Sequence, residues 1–271
     1  MGGHELQVTD LEIYQVAEDY PITPKEHGVD FLMENRHLWL RSQKQWAAMR
    51  VRNEIIYAIH TFFQERGFVQ MDAPIFTGNA AEGTTNLFET EYFDDQAYLT
   101  QSGQLYGEAM AMAHGLIYTF GPTFRAEKSK TRRHLTEFWM IEPEVAFADL
   151  DDDVNLAASY VRYLCQEVLT HCEEDVSFLA ERQNRELVQT LTDVAESEFQ
   201  ALSYDEAMAV LQQADREWQF TPTWGADLQS EHERFLAEEY FQRPVVVTDF
   251  PAEQKAFYMR MNDDGRTVAA M

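Results

Sequence analysis

A cation-rich loop between two apolar runs is the part of the sequence best suited to chemistry. The apolar runs, residues 118–124 and 138–147, predict the two strands of a hairpin. The loop between them carries five cationic side chains if its histidine is protonated: Lys128, Lys130, Arg132, Arg133 and His134. In a chain with a formal net charge of -26, this local excess of cations predicts a site for an anionic ligand.

Three side chains next to this loop have types that suit a nucleotide. Arg125 and Glu127 fall on one face of an extended strand, because side chains there alternate between faces. The planar guanidinium group of Arg125 suits phosphate oxygens, and the ring of Phe138 can stack on a base. A solvated hairpin with cross-strand ion pairs fits the same pattern. The residues alone therefore indicate an anionic ligand and do not identify it.

The amino-acid sequence of this segment resembles that of a known protein family. Residues 124–127 (Phe-Arg-Ala-Glu) and 133–138 (Arg-His-Leu-Thr-Glu-Phe) resemble motif 2 of the class II aminoacyl-tRNA synthetases. The continuation, residues 139–147, is similar to the asparaginyl branch of the aspartyl/asparaginyl subgroup. This resemblance implies an ATP-dependent ligase that activates an amino acid, with Mg2+ as the accompanying metal.

The resemblance also implies roles for the motif 2 residues. Arg125 would bind the ATP α-phosphate and stabilise the charge that develops in the transition state. His134 would reach the γ-phosphate, Phe138 would stack under adenine, and Glu127 would lie near the adenine amino group or the terminal adenosine of tRNA. The loop cations Lys128, Lys130, Arg132 and Arg133 would contact the tRNA acceptor end, mainly through phosphates.

Two further segments resemble the parts of the family that hold the amino acid. Residues 81–88 are similar to the mobile loop that closes over it, and Glu82 would pair with the α-ammonium group. Without the resemblance, this segment also fits a flexible surface loop with one exposed acid. Residues 101–106 are similar to the segment in which Gln104 holds the backbone groups of the amino acid.

One position bears on which amino acid is used. Aspartyl relatives carry a lysine three residues after the Gln104 position, and this chain has Gly107 there. The missing cation favours a neutral carboxamide substrate, asparagine, over aspartate. Glu142 and Glu144 are candidates for the amide acceptor or for metal ligation, and the sequence does not separate these roles. Both acids also fit solvated or ion-paired strand positions, and no metal ligand is assigned.

Composition limits the class of protein. A chain of 271 residues with 45% hydrophobic and 13% aromatic residues is typical of a globular protein with a sizeable core. No apolar run is long enough to span a membrane, and no secretory signal is visible at the N-terminus, so we expect a cytoplasmic protein. We interpret Cys165 and Cys172 as buried thiols, since one helix would hold them too far apart for a disulfide.

Other nucleotide and hydrolase motifs are missing from the sequence. The twelve glycines form neither a P-loop nor a dinucleotide fingerprint. A G-x-S-x-G nucleophile elbow and an H-E-x-x-H zinc motif are also absent. If the chain binds ATP, we therefore expect another scaffold.

The elements predicted around the motifs form an α+β fold. We expect an antiparallel sheet flanked by helices, the class II synthetase architecture, preceded by a remnant of an OB-type barrel. Predicted helices cover residues 43–66, 151–174 and 228–241, and residues 98–106 lead into a further helix that Gly115 ends. Ser203 and Glu206 have capping-box spacing. Predicted strands lie within residues 5–20, 67–74, 244–251, 255–261 and 267–271. The helix, strand and final Pro74 of residues 43–74 resemble motif 1, which implies a homodimer interface.

Domain organisation follows from the same resemblance. Residues 1–42 are similar to the tail of the anticodon-binding barrel and its hinge, and residues 43–271 to a catalytic domain that is incomplete at its C-terminus. Motif 3 of the family is not included, so we expect a fragment of the enzyme. Two alternatives stay open: a synthetase-like enzyme that makes asparagine through aspartyl-adenylate, and a non-catalytic paralogue that binds tRNA or a partner.

Overall fold

The computed structural model describes residues 5, 7–79, 86–128 and 134–271. The helices are Val29–Glu34 (α1), Arg36–Trp39 (α2), Gln43–Glu65 (α3), Gln104–His114 (α4), Leu150–His171 (α5), Glu173–Gln183 (α6), Leu187–Glu196 (α7), Tyr204–Gln213 (α8) and Ser230–Arg234 (α9). The strands are Val69–Met71 (β1), Phe76–Thr77 (β2), Glu89–Tyr92 (β3), Asp95–Leu99 (β4), Leu116–Phe124 (β5), Glu137–Val145 (β6), Gln200–Ser203 (β7), Val245–Thr248 (β8), Phe250–Pro251 (β9) and Thr267–Val268 (β10).

The predicted hairpin is formed by β5 and β6. These strands pair antiparallel from Leu116 opposite Val145 to Phe124 opposite Glu137, and β1 pairs parallel to β5. The register places Thr119 opposite Glu142. A second antiparallel sheet has the order β2-β4-β3.

Helix α3 supports the hairpin from behind. The predicted helix is confirmed: it begins after Ser42, whose side chain caps it, and ends before Gly67, which has a left-handed φ of 81°. Phe63 of α3 stacks on the fully buried Tyr118 of β5 at 5.0 Å. The hydroxyl of Tyr118 is 2.8 Å from Nδ1 of His60. Aromatic packing and a hydrogen bond therefore hold β5 against α3.

The predicted helix at 151–174 is in fact two helices. Helix α5 begins after a capping box made by Asp149 and Asp152, with acids in its first turn as the helix dipole favours. It ends at the buried Cys172, where the chain turns into α6. No helix in the described part of the chain is long and apolar enough to cross a membrane.

The C-terminal part has its own core. The Ser203–Glu206 capping box is confirmed at the start of α8, and Tyr204, Met208 and Leu211 are buried with Leu236. Strands β7 and β8 pair parallel beside this cluster. A π-helical turn, Phe235–Tyr240, continues α9, so the helix predicted at 228–241 is confirmed in a shorter form.

Two predicted strands are wrong. The described residues between 5 and 20 form no strand and are exposed to solvent, because no neighbouring strand in the described part of the chain pairs with them. The 255–261 segment forms local turns, with the amide of Met259 bonded to the carbonyl of Ala256. Its apolar residues do not alternate between core and solvent, since the adjacent Phe257 and Tyr258 are 96% and 42% exposed.

Candidate active site

The hairpin brings Arg125 and Phe138 together, as their predicted roles require. The guanidinium carbon of Arg125 lies 5.7 Å from the centroid of the Phe138 ring. The Arg125 amide donates to the carbonyl of Thr136 at 2.9 Å, so the pairing of the strands extends one residue into the loop. Phosphate recognition and base stacking are therefore possible side by side.

The remaining loop residues are only partly described. Glu127, Lys128 and His134 are exposed at the mouth of the hairpin. The other predicted residues lie outside the described ranges: Glu82, Lys130, Arg132 and Arg133.

Glu142 is held in place by three donors. Its carboxylate accepts hydrogen bonds from the Ser102 hydroxyl, from the Gly103 amide at 2.8 Å and from the Thr119 hydroxyl at 3.1 Å. A solvated or ion-paired strand acid would not have these partners. The glutamate instead fixes the segment that leads into α4 against β5.

The segment at residues 100–103 is itself buried and bonded on both sides. Its Thr100 amide donates to the carbonyl of Ile75 at 2.9 Å, and the Phe124 amide donates to the carbonyl of Thr100 at 2.8 Å. The Thr100 hydroxyl closes the turn by donating to the Ser102 carbonyl at 2.7 Å. This segment therefore joins the β2 sheet to the hairpin next to Arg125.

Sequence reasoning missed Ser102, Gly103 and Thr119 as parts of the site. A Cβ atom at Gly103 would lie 2.7 Å from Oγ1 of Thr119 and 3.1 Å from Oε2 of Glu142, so only glycine fits without a shift. The glycine between Ser102 and Gln104 was the one sequence feature that could have indicated a close approach here. It could not identify Thr119 and Glu142 as the neighbours, since these follow from the β5–β6 register.

Glu144 has a different environment on the same face of β6. It forms no hydrogen bond or ion pair with the described residues, and it lines a cavity of about 690 Å³ that Asp153 and Arg260 also line. Burial, followed by the charges of Glu108, Glu142 and Asp153, raises the pKa of Glu144 to about 7. Glu142 and Glu144, whose roles the sequence could not separate, therefore differ in their hydrogen bonding and in their surroundings.

Gly107 is buried against Glu144. A Cβ atom there would lie 3.3 Å from Cγ of Glu144 and 3.5 Å from Cδ1 of Ile117. A lysine at this position would require Glu144 to move. Where the aspartyl relatives carry a lysine, this chain therefore has a glycine in close contact with Glu144.

Gln104, the residue predicted to hold the backbone groups of the amino acid, lies in the first turn of α4. Its Nε2 donates to Glu108 at 3.1 Å, and its Oε1 accepts from the hydroxyl of Tyr258 at 3.3 Å. Tyr258 was not predicted, because the segment that carries it was interpreted as a strand.

Pro74 is exposed just beyond β1. The neighbouring Ile75 and Phe76 are 42% and 51% exposed, and Trp46 and Met49 on α3 are 57% and 50% exposed. The motif 1 segment therefore presents apolar side chains at the surface of a single chain.

Comparison with known proteins places this arrangement in a family. The model of the class II tRNA synthetases (D, K and N) matches residues 28–271. The chain belongs to this family. The predicted class II synthetase family is confirmed by this match.

Similar proteins include asparaginyl enzymes from several organisms. The asparagine–tRNA ligase of Microcystis aeruginosa is 47% identical over 281 residues, covering 98% of this chain and 62% of the relative. The crystal structure of asparaginyl-tRNA synthetase from Pyrococcus horikoshii complexed with asparaginyl-adenylate is 37% identical with a TM-score of 0.83, covering 96% of this chain and 58% of that one. The Entamoeba histolytica asparaginyl-tRNA synthetase in complex with asparaginyl-adenylate is 26% identical with a TM-score of 0.75, covering 91% and 54%. This chain therefore spans about 62% of the length of the curated relative that it matches.

Proposed function

We propose that this chain carries the amino-acid activation site of an asparaginyl-tRNA synthetase. The enzyme would join asparagine to ATP as asparaginyl-adenylate, release pyrophosphate and transfer asparagine to tRNA(Asn). The observation that carries the proposal is the close contact between Gly107 and Glu144, because Glu144 occupies the space that a substrate-neutralising lysine at position 107 would need. The similarity to asparaginyl enzymes supports it.

The hairpin would bind ATP. Arg125 would contact the α-phosphate, where negative charge develops as the asparagine carboxylate attacks phosphorus. Phe138, next to it, would stack on adenine, and the exposed His134 and Glu127 would reach the γ-phosphate and the adenine edge. Positioning and electrostatics suffice for this reaction, so no protein nucleophile is needed.

Glu142 would select the carboxamide. A carboxylate offers about four acceptor positions, and three are filled by Ser102, Gly103 and Thr119. The remaining position suits an N–H donor of the asparagine side chain, whereas the carboxylate of aspartate has no donor to offer. Gln104 and Glu82 would hold the backbone groups of the amino acid.

Mg2+ bound with ATP would offset phosphate charge, and Glu144 is the proposed ligand for it. Mg2+ sites on nucleotides commonly use one or two carboxylates together with phosphates and water. The free oxygens of Glu144 face a cavity among other acids, which fits a cation. The charge of the ion would also relieve the repulsion around Glu144.

The surface of the molecule suits the partners of such an enzyme. The exposed Lys128, together with Lys130, Arg132 and Arg133, would contact the tRNA acceptor end. The exposed apolar residues around Pro74 would form a homodimer interface. Residues 1–42 would belong to the anticodon-binding barrel and its hinge, and the enzyme would act in the cytoplasm.

Amino-acid-dependent exchange of pyrophosphate into ATP tests this proposal. We expect the purified chain to exchange with asparagine and not with aspartate. Arg125→Lys should reduce exchange at least tenfold because it loses the planar fork, whereas Arg243→Lys, a control outside the site, should not. Exchange with aspartate alone, or none from a chain shown to be folded, would contradict the proposal.

A further inference from the structure

Two acids and a histidine meet between α3 and α5, in a different place from the activation site. Glu54 lies on α3, and Glu167 and His171 lie one turn apart on α5. Their ligand atoms all lie within 4.8 Å of one another. Among the described residues, this is the one group of three possible ligands of this kind that approach so closely.

The packing of the two helices explains why these residues meet. Val168 of α5 is buried against Val51 and Ile55 of α3. Glu54 precedes Ile55 and Glu167 precedes Val168, so the two carboxylates flank this apolar contact at its edge. The i,i+4 spacing places His171 on the same face of α5 as Glu167.

The side chains of the group lack the partners that acids at a helix interface normally have. In the described part of the chain, neither Glu54 nor Glu167 forms an ion pair with a lysine or arginine. The contact of Glu167 is with His171, whose Nε2 lies 3.5 Å from the carboxylate oxygen. Both glutamates are half-buried, and His171 is exposed.

We propose that Glu54, Glu167 and His171 form a binding site for a zinc-type divalent cation. Zinc binds both histidine nitrogen and glutamate oxygen, and three protein ligands can leave its fourth position to water. Tetrahedral ligands at zinc–ligand distances of about 2.1 Å lie about 3.4 Å apart, which agrees with the observed separation of Glu167 and His171. Glu54 needs only a side-chain adjustment to complete the set.

A cation at this position would join α3 to α5. Helix α3 carries the residues that pack behind the hairpin, and Tyr160 and Leu164 of α5 pack into the same cluster. Zinc would therefore stabilise the support of the activation site without touching the substrates. The proposal does not depend on the proposed function, since none of the three ligands belongs to the activation site.

A measurement of zinc affinity tests the proposal. The full chain is first treated with a chelator and then competes for zinc with a chromophoric indicator. Glu54→Gln and His171→Gln should each weaken zinc affinity at least tenfold. The matched controls Glu65→Gln, on the same helix α3, and His114→Gln, at the end of α4, should leave it within twofold. Unchanged affinity in both ligand variants would overturn the proposal.

Thermal melting provides a second measurement that does not rely on one variant. Excess zinc should raise the Tm of the unsubstituted chain by roughly 5 °C, because the cation binds only the folded state, and the His171→Gln chain should show no rise. Cobalt in place of zinc should give visible absorption bands that His171→Gln abolishes. Loss of binding in Cys172→Ala with retention in Glu54→Gln would overturn the assignment, since it would move the site to the neighbouring thiol.

Discussion

Glu142 and Glu144 are two residues apart on one face of β6, yet they belong to different regions of the site. Glu142 meets the buried 100–103 segment and Thr119, and three donors saturate most of its acceptor positions. Glu144 meets Gly107 and a cavity, and its neighbours are further acids. The same residue type on the same strand face is a fixed acceptor in one region and a strained, partly neutral carboxyl in the other.

The difference shows that partner segments, and not the position on a strand, decide what an acid can do. Hydrogen bonds to a carboxylate stabilise its charged form, whereas burial without them favours the neutral form. Removing the acid should therefore have opposite effects on stability in the two regions.

The largest effect is expected at Glu142. Glu142→Gln places an amide among donors and leaves at least one of Ser102, Gly103 and Thr119 without an acceptor. Because an unsatisfied buried donor is costly, we expect a loss of about 3 kcal/mol in the free energy of unfolding, measured by urea denaturation. A variant as stable as the parent chain would contradict the role of Glu142 as the anchor.

Gly103→Ala should cause the second largest loss of stability. The new methyl group would meet Oγ1 of Thr119 at 2.7 Å, so the segment must shift away from β5. We expect destabilisation of about 2 kcal/mol from this overpacking. The matched control is Gly121→Ala on strand β5, where a Cβ meets no atom within 4 Å and stability should be unchanged or improved.

Glu144→Gln should have the smallest effect and the opposite sign. The pKa of Glu144 is about 7 in the folded chain and lies near 4.5 when unfolded, so the unfolded state releases its proton first as pH rises. The parent chain therefore loses stability between about pH 4.5 and pH 7, and the neutral variant avoids this loss. After allowance for solvent screening, the variant should be more stable by about 1 kcal/mol at pH 8 and nearly equal at pH 5.

Urea denaturation at pH 5 and pH 8 measures the difference in free energy of unfolding between Glu144→Gln and the parent chain. The same difference at both pH values would rule out ionisation of Glu144 as the cause. A double variant that also carries Asp153→Asn should gain less from Glu144→Gln. The reason is that the charge of Asp153 contributes to the raised pKa of Glu144.

Local patterns were sufficient for much of the fold. The length of α3, its stop at Gly67, the Ser203 cap and the two strands around the cationic loop all follow from short-range periodicity and capping. Residue types pointed to Arg125 and Phe138, which the structure brings together, and the family resemblance supplied their expected roles. Their functional roles stay predictions.

Long-range register was the part that the sequence could not supply. The contact of Gly103 with Thr119 and Glu142 exists only because β5 and β6 pair in one register and the 100–103 segment packs beside them. The 255–261 segment has the apolar content of a strand but closes into turns, and the hydroxyl of its Tyr258 donates a hydrogen bond to Gln104. The predicted strands near the N-terminus failed because strand formation needs a partner.

Binding of two non-hydrolysable adenylate analogues, asparaginyl and aspartyl sulfamoyl adenosine, tests the central claim most directly. Calorimetry on the 271-residue chain measures substrate selection without requiring turnover. The account predicts at least tenfold tighter binding of the asparaginyl analogue, and loss of this preference in Glu142→Gln, while Glu65→Gln retains it. Equal or tighter binding of the aspartyl analogue by the parent chain would contradict the claim that this site selects the carboxamide.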